Sequence, residues 1–267
     1  MEESLVWGLH AAAGMIQDAP QQVACLYLAR DRTSGENAAI ADMAKRAGLD
    51  VRGCDAARLD EMTGGGRHQG IVVRMAPFPY GGLEDIAAMT AECLVALDCV
   101  QDPRNLGAIL RTAAALSVTA LILPKDRAVA VTGAALRSAG GYAHRLRVVR
   151  VTNLARAIDD LKAAGWWAVG LVPGASRLIF QATLTGRVLV VVGGEGKGIR
   201  PLVAAGCDEL VSLPMAPGVR SLNAAVAASV ALYEVYRQRQ FGTGAGSERT
   251  VAARGRPAPP SGGPTVG

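Results

Sequence analysis

The chain has 267 residues, of which 50% are apolar, 19% are charged and 4% are aromatic. This composition supports a buried core and excludes collagen, a coiled coil and a small disulfide scaffold, while the length allows one large α/β domain or two modest ones. The net charge of +5 arises entirely after position 75, since residues 1–75 carry 8 basic and 10 acidic side chains, residues 76–241 carry 17 and 12, and residues 242–267 carry 3 and 1. Such a modest basic excess suits RNA and small anions equally, and the scarcity of aromatic residues disfavours RNA binding by rows of stacked rings.

The cysteines and histidines give no sign of a metal site. The five cysteines include no C-x-x-C pair, which indicates reduced thiols, and none lies near one of the three histidines at ligand spacing. The N-terminus lacks a signal-peptide pattern, and no stretch reaches the roughly 18 apolar residues of a membrane span. We therefore expect a cytoplasmic protein that binds no metal and no membrane.

Residues 4–75 are predicted to form a small α/β domain. The predicted helices are His10–Asp18, Glu36–Ala47 and Arg58–Met62, and the predicted strands are Val23–Ala29, Asp50–Gly53 and Gly70–Met75. Two prolines and two glycines among residues 76–82 resist both helix and strand, so the interval 76–89 is predicted to be an interdomain linker.

Residues 90–241 alternate between short apolar runs and helical patterns, which predicts a doubly wound α/β domain with a buried parallel sheet. The predicted strands are Cys93–Val100, Thr119–Leu123, Arg145–Val151, Trp166–Val172, Arg187–Val192 and Glu209–Leu213, and the helices are Asn105–Leu116, Thr132–Ala139, Leu154–Ala164 and Ser221–Gln240. Ligands of such domains bind at the carboxyl ends of the strands, so the loops there are candidate sites. Residues 242–267 contain 7 Gly and 4 Pro with few large apolar side chains, and are predicted to be a disordered tail.

Three loops of the second domain contain polar residues in patterns that indicate chemistry. The first motif, residues 97–113, passes from a strand end into a helix that Asn105 is predicted to cap, and Arg111 follows six positions later. A structural cap and a solvated arginine would explain these two residues equally well. The sequence alone therefore leaves their roles open.

The second motif, residues 190–199, is an apolar strand followed by glycines, among them Gly193, Gly194 and Gly198. Glycines let the backbone approach a ligand closely and expose N–H donors, here around the single carboxylate of Glu195. The pattern is neither a Walker loop nor G-x-G-x-x-G, which disfavours a nucleotide-dependent oxidoreductase.

The third motif, residues 213–223, runs from Leu213 and Met215 to Ser221, Leu222 and Asn223, where a helix begins. Ser221 is predicted to be the N-cap of that helix. The helix carries one apolar face and many small residues, which suit either packing within the chain or a subunit interface.

In order and spacing, the three motifs resemble those of the SpoU/TrmH family of RNA ribose 2′-O-methyltransferases. The family patterns V-x-D-P-x-N-x-G-x-x-x-R-T-A, G-x-E-x-x-G and L/I-P-M-x-G-x-x-x-S-L-N are met almost in full, and the resemblance covers residues 93–240. The front unit is similar to the L30e-like domain that precedes the catalytic domain in bacterial large-subunit rRNA guanosine 2′-O-methyltransferases, with signatures at residues 6–11 and 68–71. The chain departs from the family where two alanines follow Asn223 in place of Val-Ser, and at Pro217, where a small residue is common.

The resemblance implies a catalytic domain of the SPOUT type, whose deep trefoil knot holds S-adenosylmethionine in a bent shape, and a homodimer with sites near the subunit interface. The cofactor contacts that it implies are Gly193, Gly194, Gly198, Leu213, Met215 and Leu222. The catalytic and substrate-side residues that it implies are Asn105, Arg111, Glu195, Ser221 and Asn223. The implied reaction is methyl transfer to the ribose 2′-hydroxyl of a guanosine in large-subunit (23S) rRNA.

Arg111 is the residue that the resemblance implies as activator of the hydroxyl. A guanidinium is a poor base in water because its pKa exceeds about 12, so phosphate anchoring and stabilisation of the developing alkoxide is the favoured role. Glu195 could instead receive the proton or orient Arg111. The alternatives are methylation of an rRNA adenosine, as in the similar thiostrepton-resistance enzymes, or of a tRNA guanosine, and a catalytically silent RNA-binding assembly factor.

Overall fold

A computed structural model of the chain describes residues 5–32, 34–87, 89 and 92–242. The front part contains seven helices and strands followed by an irregular segment. They are β1 (Leu5–Trp7), α1 (Leu9–Asp18), β2 (Val23–Ala29), α2 (Glu36–Arg46), β3 (Val51–Cys54), α3 (Ala56–Thr63) and β4 (Ile71–Met75). The predicted tail lies outside the described residues, apart from Gly242.

The front strands form a four-stranded sheet in the order β1-β4-β2-β3, in which β4 is antiparallel to both of its neighbours and β2 and β3 are parallel. Leu26 and Val73 lie in the core on one face of this sheet, together with apolar residues of α1 and α2. On the other face, Ala29 and Val72 pack against Leu59 of α3. The short strand β1 is absent from the sequence prediction because three residues are too few to reveal a period.

Among the described residues, the second part contains seven strands and six helices. They are α4 (Leu83–Ala87), β5 (Cys93–Asp98), α5 (Pro103–Ala115), β6 (Ala120–Pro124), α6 (Gly133–Ala139), β7 (Arg147–Val151), α7 (Leu154–Ala163), β8 (Trp167–Leu171), β9 (Arg177–Leu178), β10 (Val188–Gly193), α8 (Pro201–Gly206), β11 (Glu209–Ser212) and α9 (Ala224–Phe241). Three 3₁₀ turns complete the described secondary structure of the chain, at Pro20–Gln22, Tyr142–Arg145 and Ile179–Gln181.

The second sheet is entirely parallel, with strand order β7-β6-β5-β10-β8-β11-β9. Both of its faces are covered, because alternate residues of one strand enter different cores. Val95 of β5 packs into the core that includes residues of α5, α6 and α9, whereas Leu94 packs into the core that includes residues of α7 and α8. This arrangement explains the continuous apolar runs and confirms the predicted parallel α/β sheet with helices on both faces.

Two boundaries differ from the sequence prediction for a local reason. The first strand of this sheet ends at Asp98 rather than Val100 because Cys99 has a φ of 63°, which is incompatible with a strand. The helix that follows begins at Pro103, since proline is well accommodated in the first turn, where its missing N–H has no helical partner. Within the predicted linker, residues 83–87 form α4, and Ile86 is fully buried against the second sheet.

The front strand β1 packs directly on α6 of the second part. Arg137 donates a hydrogen bond of 2.9 Å to the carbonyl of Leu5, and its guanidinium lies 3.7 Å from the centre of the Trp7 ring. Gly133 allows this approach, since a Cβ there would lie under 3.0 Å from the Leu5 carbonyl. Burial lowers the pKa of Arg137 from its usual value. The two sheets are thus joined by direct contacts as well as by the connecting segment.

No helix in the described part of the chain is both long enough and apolar enough to cross a membrane. Within the same residues, no group of three or more His, Cys, Asp or Glu side chains is placed to hold a metal ion.

Candidate active site

The register of the second sheet brings the three motifs together. Gly193 at the end of β10 pairs with Asp98 at the end of β5, and Val192 pairs with Leu171 at the end of β8. Because Leu171 also pairs with Val211 of β11, the carboxyl ends of four strands lie side by side. The loops that leave these ends contain the first, second and third motifs, so they meet at one edge of the sheet.

Asn105 lies in the first turn of α5 and is 9% exposed. It does not cap the helix as predicted: Asp102 is the N-cap and accepts a hydrogen bond of 2.8 Å from the backbone N–H of Arg104. The hydrogen bond from the Arg104 guanidinium, followed by this backbone bond, lowers the pKa of the Asp102 carboxyl. With the cap supplied by Asp102, the side chain of Asn105 is available for contacts between motifs.

Asn105, Glu195 and Asn223 form one hydrogen-bonded cluster, with one residue from each motif. The amide of Asn105 donates to Oε1 of Glu195, and the amide of Asn223 donates to the same oxygen at 3.0 Å. Asn223 also donates to Oδ1 of Asn105 at 3.1 Å. Because both amides bind the same carboxylate oxygen, they fix its orientation while Oε2 lies outside these bonds.

Asn223, rather than the predicted Ser221, is the N-cap of α9. Its Oδ1 accepts hydrogen bonds from the backbone N–H groups of Ala225 at 2.9 Å and Val226 at 3.3 Å. The side chain therefore acts in two directions, since Oδ1 closes the helix while Nδ2 reaches the cluster. Ser221 lies two residues before the cap, exposed on the wall of the adjoining cavity.

A cavity of about 410 Å³ lies beside the cluster, within the range of roughly 300–1,000 Å³ typical of small-molecule sites. All six residues expected to contact the cofactor line it, together with Glu195, Ser221 and Asn223. The cavity is mostly apolar, and its apolar lining includes Leu171, Val172, Val192, Leu213, Met215 and Leu222.

The glycines of the second motif are required by close backbone packing. A Cβ on Gly193 would lie under 3.0 Å from the backbone of Gly198, and one on Gly194 under 3.0 Å from the Cys99 carbonyl. Gly198 itself has a φ of 63°, in the left-handed region that favours glycine. The loop therefore folds back on itself and lies directly on the turn that follows β5.

An ion pair that the sequence did not predict joins the buried carboxylate of Asp98 to Arg200, whose side chain is 34% exposed. Asp98 is fully buried, and its carboxylate accepts hydrogen bonds of 2.8 Å from the backbone N–H and from Nε of Arg200. These bonds join the end of β5 to the end of the second motif. The bond to Asp98 raises the pKa of the Arg200 guanidinium, and burial raises the pKa of the neighbouring Cys99 thiol. A lone carboxylate at the end of an apolar strand was the available sequence signal for this pair.

Arg104 is a second residue near the cluster that was not predicted from the sequence. Its guanidinium forms a salt bridge of 3.2 Å with Asp102, which raises the pKa of Arg104, and Glu195 adds a smaller electrostatic contribution in the same direction. A cation is therefore held near the carboxylate of the cluster.

Arg111 does not join the cluster of its own chain. It lies exposed on α5, where its guanidinium is 6.0 Å from the ring centre of Tyr142 and faces the turn at Gly140. The structure thus brings together four of the five expected polar residues: Glu195, Ser221 and Asn223 line the cavity, and Asn105 is bonded to Glu195 and Asn223 behind that lining. Arg111 lies apart from all four.

Comparisons with known proteins agree with this geometry. The profile of the SpoU rRNA Methylase family matches residues 92–233, and a profile described as RNA 2′-O ribose methyltransferase substrate binding matches residues 5–81. The chain is 37% identical over 243 residues to the 23S rRNA (guanosine-2′-O-)-methyltransferase RlmB of Vibrio cholerae, covering 90% of this chain and 98% of that protein. It is 37% identical over 239 residues to the Escherichia coli protein of the same name, with coverage of 88% and 98%.

Solved structures give the same result. The SpoU methyltransferase AviRb from Streptomyces viridochromogenes, in complex with AdoMet, has a TM-score of 0.73 and 26% identity, with coverage of 89% of this chain and 90% of that chain. The AdoMet-bound rRNA methyltransferase from Sinorhizobium meliloti shares the fold, with a TM-score of 0.74 and 24% identity over 90% of this chain and 88% of that chain. Since the family profile covers more than half of the chain and the relatives match along nearly their whole length, the chain belongs to the SpoU rRNA methylase family.

Proposed function

We propose that the protein transfers a methyl group from S-adenosylmethionine to the ribose 2′-hydroxyl of a guanosine in 23S rRNA. The observation that carries this proposal is the meeting of three separate motifs at one cavity, where two amides hold a single carboxylate. The guanosine and the 23S rRNA come from the names of the relatives, which match over 98% of their own length.

The cavity fits the methyl donor in size and chemistry. Its apolar walls suit an adenine ring and a thioether-like chain, and the second motif offers backbone groups at a close approach. The residues proposed to hold the cofactor are Gly193, Gly194, Gly198, Leu213, Met215 and Leu222. When bound, S-adenosylmethionine supplies an electrophilic methyl group on its sulfonium.

The polar cluster is proposed to receive the ribose. Asn105 and Asn223 orient Glu195 through Oε1, so that Oε2 is available to accept the proton of the 2′-hydroxyl. Ser221, on the same cavity wall, provides a hydroxyl that can position the sugar. Holding these groups in place before the substrate arrives lowers the entropic part of the barrier.

Arg111 and a second copy of the chain complete the proposed site. Arg111 lies outside the cavity of its own chain, and α9 exposes Val226, Val230 and Tyr233 along one side, each about half exposed. An apolar stripe of this kind supports a homodimer in which Arg111 reaches the partner's cavity and binds a phosphate there. Orientation of Arg111 by Glu195 of the same chain has no support, because no contact between them is found in the described residues.

The organisation of the chain is part of the same proposal. Residues 4–75 are proposed to form an L30e-like RNA-binding domain and 90–241 the catalytic domain, whose deep trefoil knot stays a prediction. The predicted linker 76–89 contains α4, which packs on the catalytic domain. The match of residues 5–81 to the substrate-binding profile supports the first of these roles.

The test is to incubate the protein with labelled S-adenosylmethionine and unmodified 23S rRNA, and to map the product by primer extension at low deoxynucleotide concentration. We expect one stop, at a guanosine, that requires the methyl donor. Label found only at an rRNA adenosine or only in tRNA would show that the proposed substrate is wrong. No transfer to any RNA would refute the reaction itself.

A further inference from the structure

A second cavity lies in the front unit, away from the cluster just described. Its volume is about 440 Å³, and it is bounded by α1, the start of α2 and the glycine-rich loop of residues 64–70. It is more polar than the first cavity, and the side chains that matter are Arg32, Asn37, Asp60, Arg67 and His68.

The two arginines at this cavity are unusual for the front unit, which has more acidic than basic residues. The other basic side chains in this part of the chain are mostly paired: Arg30 with Asp55, Lys45 with Asp42, Arg52 with Asp50 and Arg58 with Glu61. Arg32 and Arg67 are exposed and form no salt bridge with any residue that the structure describes. Against the single carboxylate at this cavity, that of Asp60, the two guanidinium groups leave a net positive charge, which favours an anion as the occupant.

Asn37 supplies an independent indication that the cavity receives a ligand. Its side chain is buried, with 8% of the residue exposed, and its Oδ1 has no hydrogen-bond partner among the described residues. A buried acceptor without a donor is destabilising, so a ligand that brings an N–H group would relieve this penalty.

The cavity wall is held in a fixed shape. Nδ1 of His68 accepts a hydrogen bond of 3.0 Å from the backbone N–H of Gly70, so the ring proton is on Nε2, which lies 3.0 Å from Asp60. The stem of Arg32 lies along Gly70, where an added Cβ would be 2.7 Å from its Cδ. Gln69 accepts a hydrogen bond of 3.3 Å from the N–H of Leu9, which fastens the loop to α1.

We propose that this cavity binds one unpaired nucleotide of the RNA substrate. Arg32 and Arg67 bind its phosphate, and Asn37 Oδ1 accepts a hydrogen bond from an N–H group of the base. A nucleotide is the occupant that supplies both an anion and a flat group with N–H donors, and unpaired bases are what proteins usually read in RNA. This inference rests on the proposed function, since it names how the same RNA is held outside the methyl-transfer site.

The test measures binding of an unmodified 23S rRNA transcript to the full chain by filter binding, without methyl donor, between 50 and 200 mM salt. Arg32→Ala and Arg67→Ala are each expected to raise the Kd about tenfold and to lower the slope of log Kd against log salt by about one, because each removes one phosphate contact. Asn37→Leu is expected to raise the Kd about fivefold with an unchanged slope, because it removes a base contact.

Arg46→Ala is the matched control, since Arg46 is an exposed arginine of the same unit that lies outside the cavity and bonds only to the Asp42 carbonyl in the described chain. If the two cavity variants match Arg46→Ala in Kd and in salt slope, the nucleotide site is refuted. Thermal melting checks that Asn37→Leu is folded. If it is not, the Kd and salt slope of Arg32→Ala and Arg67→Ala alone test the nucleotide site.

Methyl transfer separates this inference from the proposed function. With a wild-type protein that transfers methyl, the cavity variants should raise the KM for RNA, leave kcat unchanged, and bind S-adenosylhomocysteine as the wild type does in calorimetry. A wild-type protein that binds RNA through the cavity but transfers no methyl to any RNA would refute the reaction and uphold the nucleotide site.

Discussion

The side-chain amide of Asn223 lies 3.1 Å from Oδ1 of Asn105, although the two residues are 118 positions apart. The same Asn223 side chain caps α9 through its oxygen, and the same Asn105 side chain donates to Glu195. The start of α9 and the geometry of the cluster are therefore set by one side chain, that of Asn223. A change in either amide should alter the carboxylate that the reaction is proposed to use.

Asn105→Asp is expected to reduce methyl transfer at least tenfold, because it replaces a donor to Glu195 with a second carboxylate that repels it. Labelled methyl transfer to 23S rRNA measures the effect. Asn153→Asp makes the same chemical change at an exposed N-cap, on α7, and should leave the rate unchanged. Equal rates for both variants and the wild type would remove the amide cluster from the mechanism.

The sequence predicted that the residues of the cluster meet, but it did not predict which hydrogen bonds they form. The three motifs and the parallel sheet were sufficient to place Asn105, Glu195 and Asn223 near one edge of the sheet. The sequence cannot distinguish which of several nearby polar residues caps a helix, because Asp102 and Asn105, or Ser221 and Asn223, have similar capping propensities. In the structure Asp102 caps α5, which leaves Asn105 for the cluster. Asn223 caps α9, which leaves the Ser221 hydroxyl at the cavity wall.

The long elements were predicted well because their periods extend over many residues. The strand Val23–Ala29 has its predicted limits, and most of the predicted helices end within a few residues of theirs. Neither β1 nor β9 was predicted, and the lone carboxylate of Asp98 did not identify Arg200 as its partner, since these features depend on contacts between distant parts of the chain. Local patterns carry no information on such contacts.

Mixing two inactive variants tests whether Arg111 acts in the partner's cavity. Arg111→Ala and Glu195→Ala are each expected to be inactive alone, and both should still bind S-adenosylhomocysteine. Random dimers of the two variants would recover about a quarter of the wild-type rate, because half of the dimers would contain one intact site of two. Methyl transfer after joint refolding measures this recovery. No recovery would place Arg111 and Glu195 of the same chain in one site.

Two helical glycines should respond in opposite ways to alanine. Gly14 lies within α1 with open space around the position of a Cβ, so Gly14→Ala is expected to stabilise the protein by up to about 1 kcal/mol. Gly107 lies within α5 against α6, where a Cβ would be under 3.0 Å from the Ala135 carbonyl, so Gly107→Ala is expected to destabilise it by about 1–3 kcal/mol. Urea denaturation measures both. Stabilisation by Gly107→Ala would contradict the close packing of α5 on α6, and destabilisation by Gly14→Ala would contradict the open space at α1.

Removal of the buried carboxylate of Asp98 should be strongly destabilising. Asp98→Ala leaves the Arg200 guanidinium and backbone N–H without their acceptor, at an expected cost of about 3–5 kcal/mol. Asp85→Ala, which breaks the more exposed salt bridge with Arg147, serves as the comparison and should change the stability much less. A similar denaturation midpoint for the two variants would mean that the Asp98 pair contributes little to holding the second motif.

The free energy of unfolding should fall as the pH rises from about 9 to about 11, because two thiols have a higher pKa in the folded protein than in the unfolded chain. Burial raises the pKa of Cys93 from 9.0 to about 11, and it does the same for Cys207. Between these pH values the folded state retains thiol protons that the unfolded state has lost, so the free energy of unfolding decreases with pH. For Cys93 alone the loss by pH 11 is about 2 kcal/mol. Urea midpoints measured from pH 8 to pH 11 should decline less steeply for Cys93→Ala than for the wild type, and parallel curves would show that the Cys93 thiol is not shielded in the core.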